Sequence, residues 1–113
     1  MENEEISLNE EQNDGKTIRL YFNNMVGFYV AYGKSAFYVT HVTNPVLSYS
    51  REMQMPVALV SKGQIFELRQ ACRKVEHTVQ TYYRFETRSY IGSNGYRDWA
   101  DRLQQSVRTS VNT

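Results

Sequence analysis

The change of hydrophobic period at Ser61 constrains the fold of this chain more than any other feature. Pro56-Val57-Ala58-Leu59-Val60 is a continuous apolar run, the pattern of a short strand covered on both faces. From Gln64 to Glu76 the apolar residues Ile65, Leu68, Cys72 and Val75 recur at three- and four-residue steps, which predicts an amphipathic helix. Ser61, between the two patterns, is a helix N-cap residue. Sheet and helix therefore share one core.

Upstream, Ile18, Leu20 and Phe22 alternate with Arg19 and Tyr21, the period of a half-buried strand. Asn23-Asn24 predicts a turn into a second strand, Met25 to Tyr32. Gly33-Lys34 predicts another turn into a third strand, Ser35 to Val42, rich in β-branched and aromatic residues. Asn44-Pro45 closes this meander, and Val46 to Met55 reads as a loop or irregular edge hairpin. Downstream, His77 to Ile91 returns to period two as one long strand. Gly92-Ser93-Asn94-Gly95 then precedes a second helix, about Tyr96 to Arg108, with Tyr96, Trp99, Leu103 and Val107 on its apolar stripe. The expected fold is α+β: an antiparallel sheet of about five strands with two amphipathic helices packed on one face. A chain of 113 residues fits one domain, assigned to 16–110.

Charge divides the chain unevenly. Residues 1–15 hold six acids (Glu2, Glu4, Glu5, Glu10, Glu11, Asp14) and no Lys or Arg, while the remainder holds 13 bases against six acids. The first segment reads as a disordered acidic tail, either a solubilising arm or an intramolecular competitor for a polyanion site. Cys72 is the only cysteine, which excludes an internal disulfide and a zinc site built on paired thiolates. No apolar run approaches the roughly 18 residues that span a bilayer, and the first residues are acidic where a secretory signal is basic. A cytoplasmic location, or a nuclear one in a eukaryote, with no membrane partner is the expectation.

The chemistry-bearing residues lie along the long strand. Period two puts Gln80, Tyr82, Arg84, Glu86, Arg88 and Tyr90 on one face. Bases stack on tyrosine whatever their identity, and guanidinium groups bind phosphate bidentately, so interleaved rings and arginines suit a single strand lying across a sheet. The candidate nucleic-acid-binding set is Tyr82, Arg84, Arg88 and Tyr90, supported by Lys62, Arg69 and Arg73 of the predicted helix and by Arg19. The plainer reading is a solvated strand face with cross-strand ion pairs.

Catalytic constellations are thin. Cys72 falls on the apolar stripe of the predicted helix, a packing position. His41 and His77, the two imidazoles, stand at strand ends without an accompanying motif. The body's carboxylates are scattered, and the glycines form neither GxGxxG nor GxxxxGK[ST]. A non-enzymatic protein with no cofactor and no metal is expected.

The strand-rich first half followed by Val57-Ala58-Leu59-Val60-Ser61-Lys62-Gly63-Gln64-Ile65-Phe66-Glu67-Leu68-Arg69 resembles the single-stranded-DNA-binding transcriptional coactivators (positive cofactor four) and their Whirly-type relatives. The resemblance covers about residues 17–76. It implies a four-stranded antiparallel sheet leading into a helix that dimerises, and hence single-stranded DNA or RNA as partner and a homodimer. The family's binding residues do not map onto this chain, so none is carried over. The alternative function is a small protein-interaction or assembly module of the virus-accessory type with a protein partner, suggested by Tyr49, Met53 and Met55 as surface candidates.

Overall fold

The computed structural model describes residues 3–78 and 81–111. Three hairpins supply the strands: β1 (Thr17–Asn23) with β2 (Phe28–Tyr32), β3 (Val46–Ser50) with β4 (Met55–Val60), and β5 (Cys72–Thr78) with β6 (Tyr82–Thr87). They join in one sheet of order β3-β4-β2-β1-β6-β5, antiparallel at every pairing. The helices are α1 (Asn3–Glu11), α2 (Gly33–Val39), α3 (Lys62–Ala71) and α4 (Tyr96–Val111).

Register decides which side chains enter the core. Ile18 stands opposite Phe85 and Leu20 opposite Tyr83, so these four share a face. Together with Ala31, Ala58 and Val60 they pack against Phe37, Tyr38 and Val39 of α2 and Ile65 and Leu68 of α3. Trp99 of α4 joins through Phe37, with ring centroids 5.2 Å apart. The alternate residues, Arg19, Tyr21, Tyr32, Tyr82 and Arg84, lie on the opposite face, where α1 places Ile6 beside Tyr21, Tyr32 and Tyr82.

The α+β class and the antiparallel sheet agree with the sequence reading, but the count and layering differ. Among the described residues there are six strands and four helices, three helices on one face and α1 on the other. The segment expected as the third strand is α2. Gly33 takes a left-handed φ of 56°, where an added Cβ would meet Glu10 Cβ at 3.2 Å, and the chain turns there from strand into helix. Ala36 to Val39 are then all buried, and a helix buried all round has no polar face to reveal its period.

The helix expected over 64–76 stops at Ala71. Its start is as predicted: Ser61 accepts from Gln64 N while the Gln64 side chain accepts from Ser61 N, a capping box. Cys72 is extended and opens β5, facing the core opposite Thr87. The register of β5 shifts between Lys74 and Glu76, and this bulge gives Cys72 and Val75 a three-residue spacing that imitates a helix. The long strand expected over 77–91 is divided. His77 and Thr78 end β5, Thr81 N donates to Thr78 O at 3.0 Å in the turn, and β6 stops at Thr87; Val79 and Gln80 lie outside the described residues. The segment Val46 to Met55 is the edge strand β3, the turn after it and the first residue of β4, and β3 pairs with β4 at five opposed positions that reach Leu59. Residues 17–76 thus run strand-strand-helix-strand-strand-helix and into β5, with α2 in the place of the expected third strand.

The acidic segment expected as a disordered tail is largely structured; its first residues, Met1 and Glu2, lie outside the described residues. The cause is a gap in the sheet. β2 pairs with β1 only over Tyr21–Asn23, leaving the backbone of residues 17–19 without a strand partner on that side. Ser35 Oγ accepts from Arg19 N at 3.0 Å, and Asn13 Nδ2 donates to Thr17 O at 2.8 Å. Ser35 in turn donates from N and Oγ to the two Glu10 carboxylate oxygens at 2.7 and 2.8 Å. Buried polar groups require partners, and satisfying these draws residues 3–15 onto the body. No helix among the described residues is long and apolar enough to cross a membrane.

Candidate nucleic-acid interface

The structure separates the eight candidate residues into three groups. Tyr82, Arg84, Arg73 and Arg19 lie on the α1 face, Lys62 and Arg69 on the helix-covered face, and Arg88 and Tyr90 beyond the end of β6.

On the α1 face, Arg19 and Arg84 stand directly opposite each other in the β1–β6 ladder. Tyr82 and Arg84 are half-buried rather than open, and the Tyr82 ring packs 5.3 Å from Tyr21. Arg73, expected on the helix, is in β5, where it bonds Glu86 at 3.2 Å; Lys16 approaches the same carboxylate at 3.7 Å and Arg84 pairs with Glu76 at 3.3 Å. Cross-strand ion pairs, the plainer sequence reading, therefore account for much of this face. The Tyr82 hydroxyl bonds the Arg19 guanidinium, and burial pushes its pKa up. Burial raises the Tyr21 phenol still further. These rings stay neutral at physiological pH.

Arg88 and Tyr90 are framework residues. Arg88 Nη2 donates to Gln70 O at 3.1 Å, tying the segment after β6 to the end of α3. Tyr90 is 74% exposed, yet its ring lies against two glycines: an added Cβ on Gly15 would come within 2.3 Å of it and one on Gly92 within 2.8 Å. Both residues leave the β6 face on which period two placed them, because the ladder has already ended.

The helix-covered face holds an arrangement that the sequence reading missed. Lys62, Ile65, Phe66 and Arg69 occupy one stripe of α3, and with Tyr29 and Tyr83 of the sheet they line an open groove of about 350 Å³. Arg69 Nη2 donates to Tyr83 Oη at 2.5 Å, and the guanidinium carbon stands 5.4 Å from the Tyr83 ring centroid, within cation–π range. Tyr29 meets Tyr83 edge-on at 5.1 Å, Phe22 meets Tyr29 at 5.2 Å, and His77 stacks on Tyr83 at 3.9 Å and 5°. Phe66 is 62% exposed, a large apolar ring left in water. Slight desolvation where the exposed ring stacks on Tyr83, then the Lys74 and Arg69 charges, hold the His77 imidazole below its usual pKa. Positive charge is thus concentrated here. Among the described residues none of the ion pairs involves Lys62, Arg69 or Lys74, and Glu67, the carboxylate of α3, is engaged by the Thr43 hydroxyl.

The residues weighed for catalysis have structural surroundings. Cys72 is buried in the core cluster and burial raises its thiol pKa, so it favours the unreactive protonated form. His41, expected at a strand end, follows α2 instead, with Nδ1 2.9 Å from Phe37 O. Among the described residues no three His, Cys, Asp or Glu side chains converge as metal ligands do.

Comparison with protein-family models, with curated proteins and with solved structures finds no match.

Proposed function

We propose that this protein is a non-catalytic binder of single-stranded nucleic acid, with the groove between α3 and the β2 and β6 strands as its principal contact. One observation carries the reading: a single stripe of α3 presents Lys62, Phe66 and Arg69 toward Tyr29 and Tyr83, so cations and rings line the same open groove. Lys62, Arg69 and Lys74 meet phosphates, while Phe66, Tyr29 and the outer face of His77 offer stacking surfaces. Each stacked base contributes about 1–3 kcal/mol. Tyr83 is buried, and its part is to hold Arg69 and His77 in place.

The test is fluorescence anisotropy with labelled single-stranded 12-mers at low salt. Affinity falls steeply as salt rises, because neutralised phosphates release counterions. Replacing Lys62 and Arg69 together with alanine weakens binding and lowers the salt slope by about 1.4, roughly 0.7 for each single-strand phosphate no longer neutralised. Arg88→Ala leaves both unchanged. Absence of binding by the wild type at low salt ends this reading.

A second reading, a protein-interaction module, has its own support at the tip of the β1–β2 hairpin. Met25 is 95% exposed and Val26 and Phe28 are about half exposed, whereas Tyr49, Met53 and Met55, the candidates from sequence, are partly buried. A protein partner recovered in stoichiometric amount after nuclease treatment, and no longer recovered with Met25→Ser, favours this reading over the first.

A further inference from the structure

We infer that the sheet face beneath α1 is a second single-strand-binding surface, which α1 covers by occupying it as an internal acidic competitor. This inference rests on the proposed binding of single strands and adds a covered site and its regulation.

The covered face has the composition that phosphates and bases require. Arg19 and Arg84 lie side by side, Arg84 exchanging its exposed partner Glu76 for a phosphate when a strand binds, and the Tyr21 ring is 5.9 Å from Tyr32 and 5.3 Å from Tyr82. The element above it is opposite in charge: α1 carries Glu4, Glu5, Glu10 and Glu11 within nine residues. Glu10 draws on Arg19 electrostatically, and one guanidinium nitrogen of Arg19, Nη1, is buried without a hydrogen-bond acceptor. A polyanion reaches Arg19 only where α1 gives way, so the two compete for this face by occupancy, while the attraction of the Glu10 charge for Arg19 is outweighed by the cost of burying that charge.

The cover is incomplete and held by few buried residues. A cavity of about 570 Å³ is lined jointly by Asn3, Glu5 and Ile6 of α1, by Tyr21, Tyr32 and Tyr82, and by Asn24 and Met25 of the hairpin tip; pockets that hold small ligands span about 300–1,000 Å³. Nine residues are too few to sustain a helix in water, where about 12–15 are marginal. Docking therefore depends on the body, yet only Ile6 and Glu10 of α1 are buried. Further ties are the Asn9 side chain to the Tyr21 hydroxyl, and Asn3 Nδ2 to Glu52 Oε1 at 2.9 Å and Lys34 Nζ to Glu11 O at 3.2 Å, the last two exposed.

Two substitutions move α1 in opposite directions. Ile6→Asp puts a charge into the buried junction and lifts the helix. Glu10→Gln removes a buried charge, keeps an oxygen for Ser35 N, and leaves the Ser35 hydroxyl free to turn toward Thr17 O at 3.5 Å; it holds the helix down. At pH 7.5 and low salt, Ile6→Asp binds labelled oligothymidylate and oligouridylate 12-mers about fivefold or more tighter than wild type, the low end of a coupled opening. Glu10→Gln binds more weakly than wild type, and adding Tyr82→Ala to Ile6→Asp removes its gain. Amide exchange of α1 reports the opening independently. The two oligomers distinguish a DNA from an RNA partner, and a gain with either supports the site. If wild type binds but Ile6→Asp binds no tighter while its α1 amides exchange freely, the inference fails and the proposed function stands. If neither protein binds either oligomer, the proposed function fails and the inference with it. Should Ile6→Asp not fold, as read by Trp99 fluorescence, Glu10→Gln decides alone: affinity equal to wild type overturns the inference.

Discussion

Glu10 sits where a carboxylate is least comfortable, and burial lifts its pKa from 4.5 to about 6 although Ser35 and Asn13 hydrogen-bond its charged form. The groups around it are Arg19 on β1, which favours the charge, and the Tyr21, Tyr38 and Tyr96 phenols, whose own ionisation Glu10 opposes. A carboxyl whose pKa is higher when docked than when free binds its proton more tightly in the docked state. Its contribution to α1 docking is therefore full below pH 4.5 and lost as pH rises through about 6. The difference corresponds to about 2 kcal/mol, at 1.36 kcal/mol per unit. Amide exchange in α1 should slow between pH 7.5 and 5, after correction for the intrinsic pH dependence of exchange, and this slowing should be absent in Glu10→Gln. Equal behaviour of the two proteins would show that other groups hold the helix.

At the scale of elements, α3 is the part most fully determined by its own sequence. Its capping box joins Ser61 and Gln64, and Gln64 Nε2 also donates to Asn44 O at 2.8 Å, which binds the helix start to the segment before β3. Ser61→Ala should lower stability by about 1 kcal/mol, the usual worth of an N-cap hydroxyl, measurable by urea unfolding. Because Lys62 is the next residue, the same substitution should also loosen the groove and reduce oligonucleotide affinity. The strand-to-helix junction was legible because Ser61 and the stripe Ile65–Leu68 are local signals. The rest of the neighbourhood was not. Tyr83 and Phe85 were placed on the correct common face by period two, but nothing local announced that Arg69 would reach the Tyr83 hydroxyl. The stripe Lys62–Phe66–Arg69 was there to be read by helical spacing, and the denser ring-and-arginine pattern of the strand masked it. The bulge in β5 and the all-round burial of α2 are tertiary events, which overrode the local period and propensity. The docking of α1 depends on a sheet gap filled by Ser35, 25 residues away from Glu10, so the composition of the acidic segment alone pointed to a tail.

On the scale of the whole molecule, β1 is the strand through which the two halves communicate. It pairs with β2 on one side and β6 on the other, joining the β3-β4-β2 half to the β5–β6 hairpin. The core crosses this seam without a break, since Ile18 and Leu20 on β1 belong to the same buried cluster as Phe85, Leu68, Phe37 and Val39. Phe85→Ala removes a fully buried ring in the β5–β6 half and should destabilise the protein by about 3–5 kcal/mol, as large-to-small core changes of this kind do. Trp99, the chain's single tryptophan, reports on the other half, where its ring packs 5.2 Å from Phe37. If the core is one cooperative unit, Trp99 fluorescence and far-UV circular dichroism should shift together to lower denaturant in Phe85→Ala, with coincident midpoints. A helical and β signal lost ahead of the tryptophan signal would mean that β6 and β5 unfold apart from the rest. In that case the groove residues Tyr83 and His77 would belong to a separately mobile hairpin, and binding at the groove would carry an ordering penalty that a single rigid core avoids.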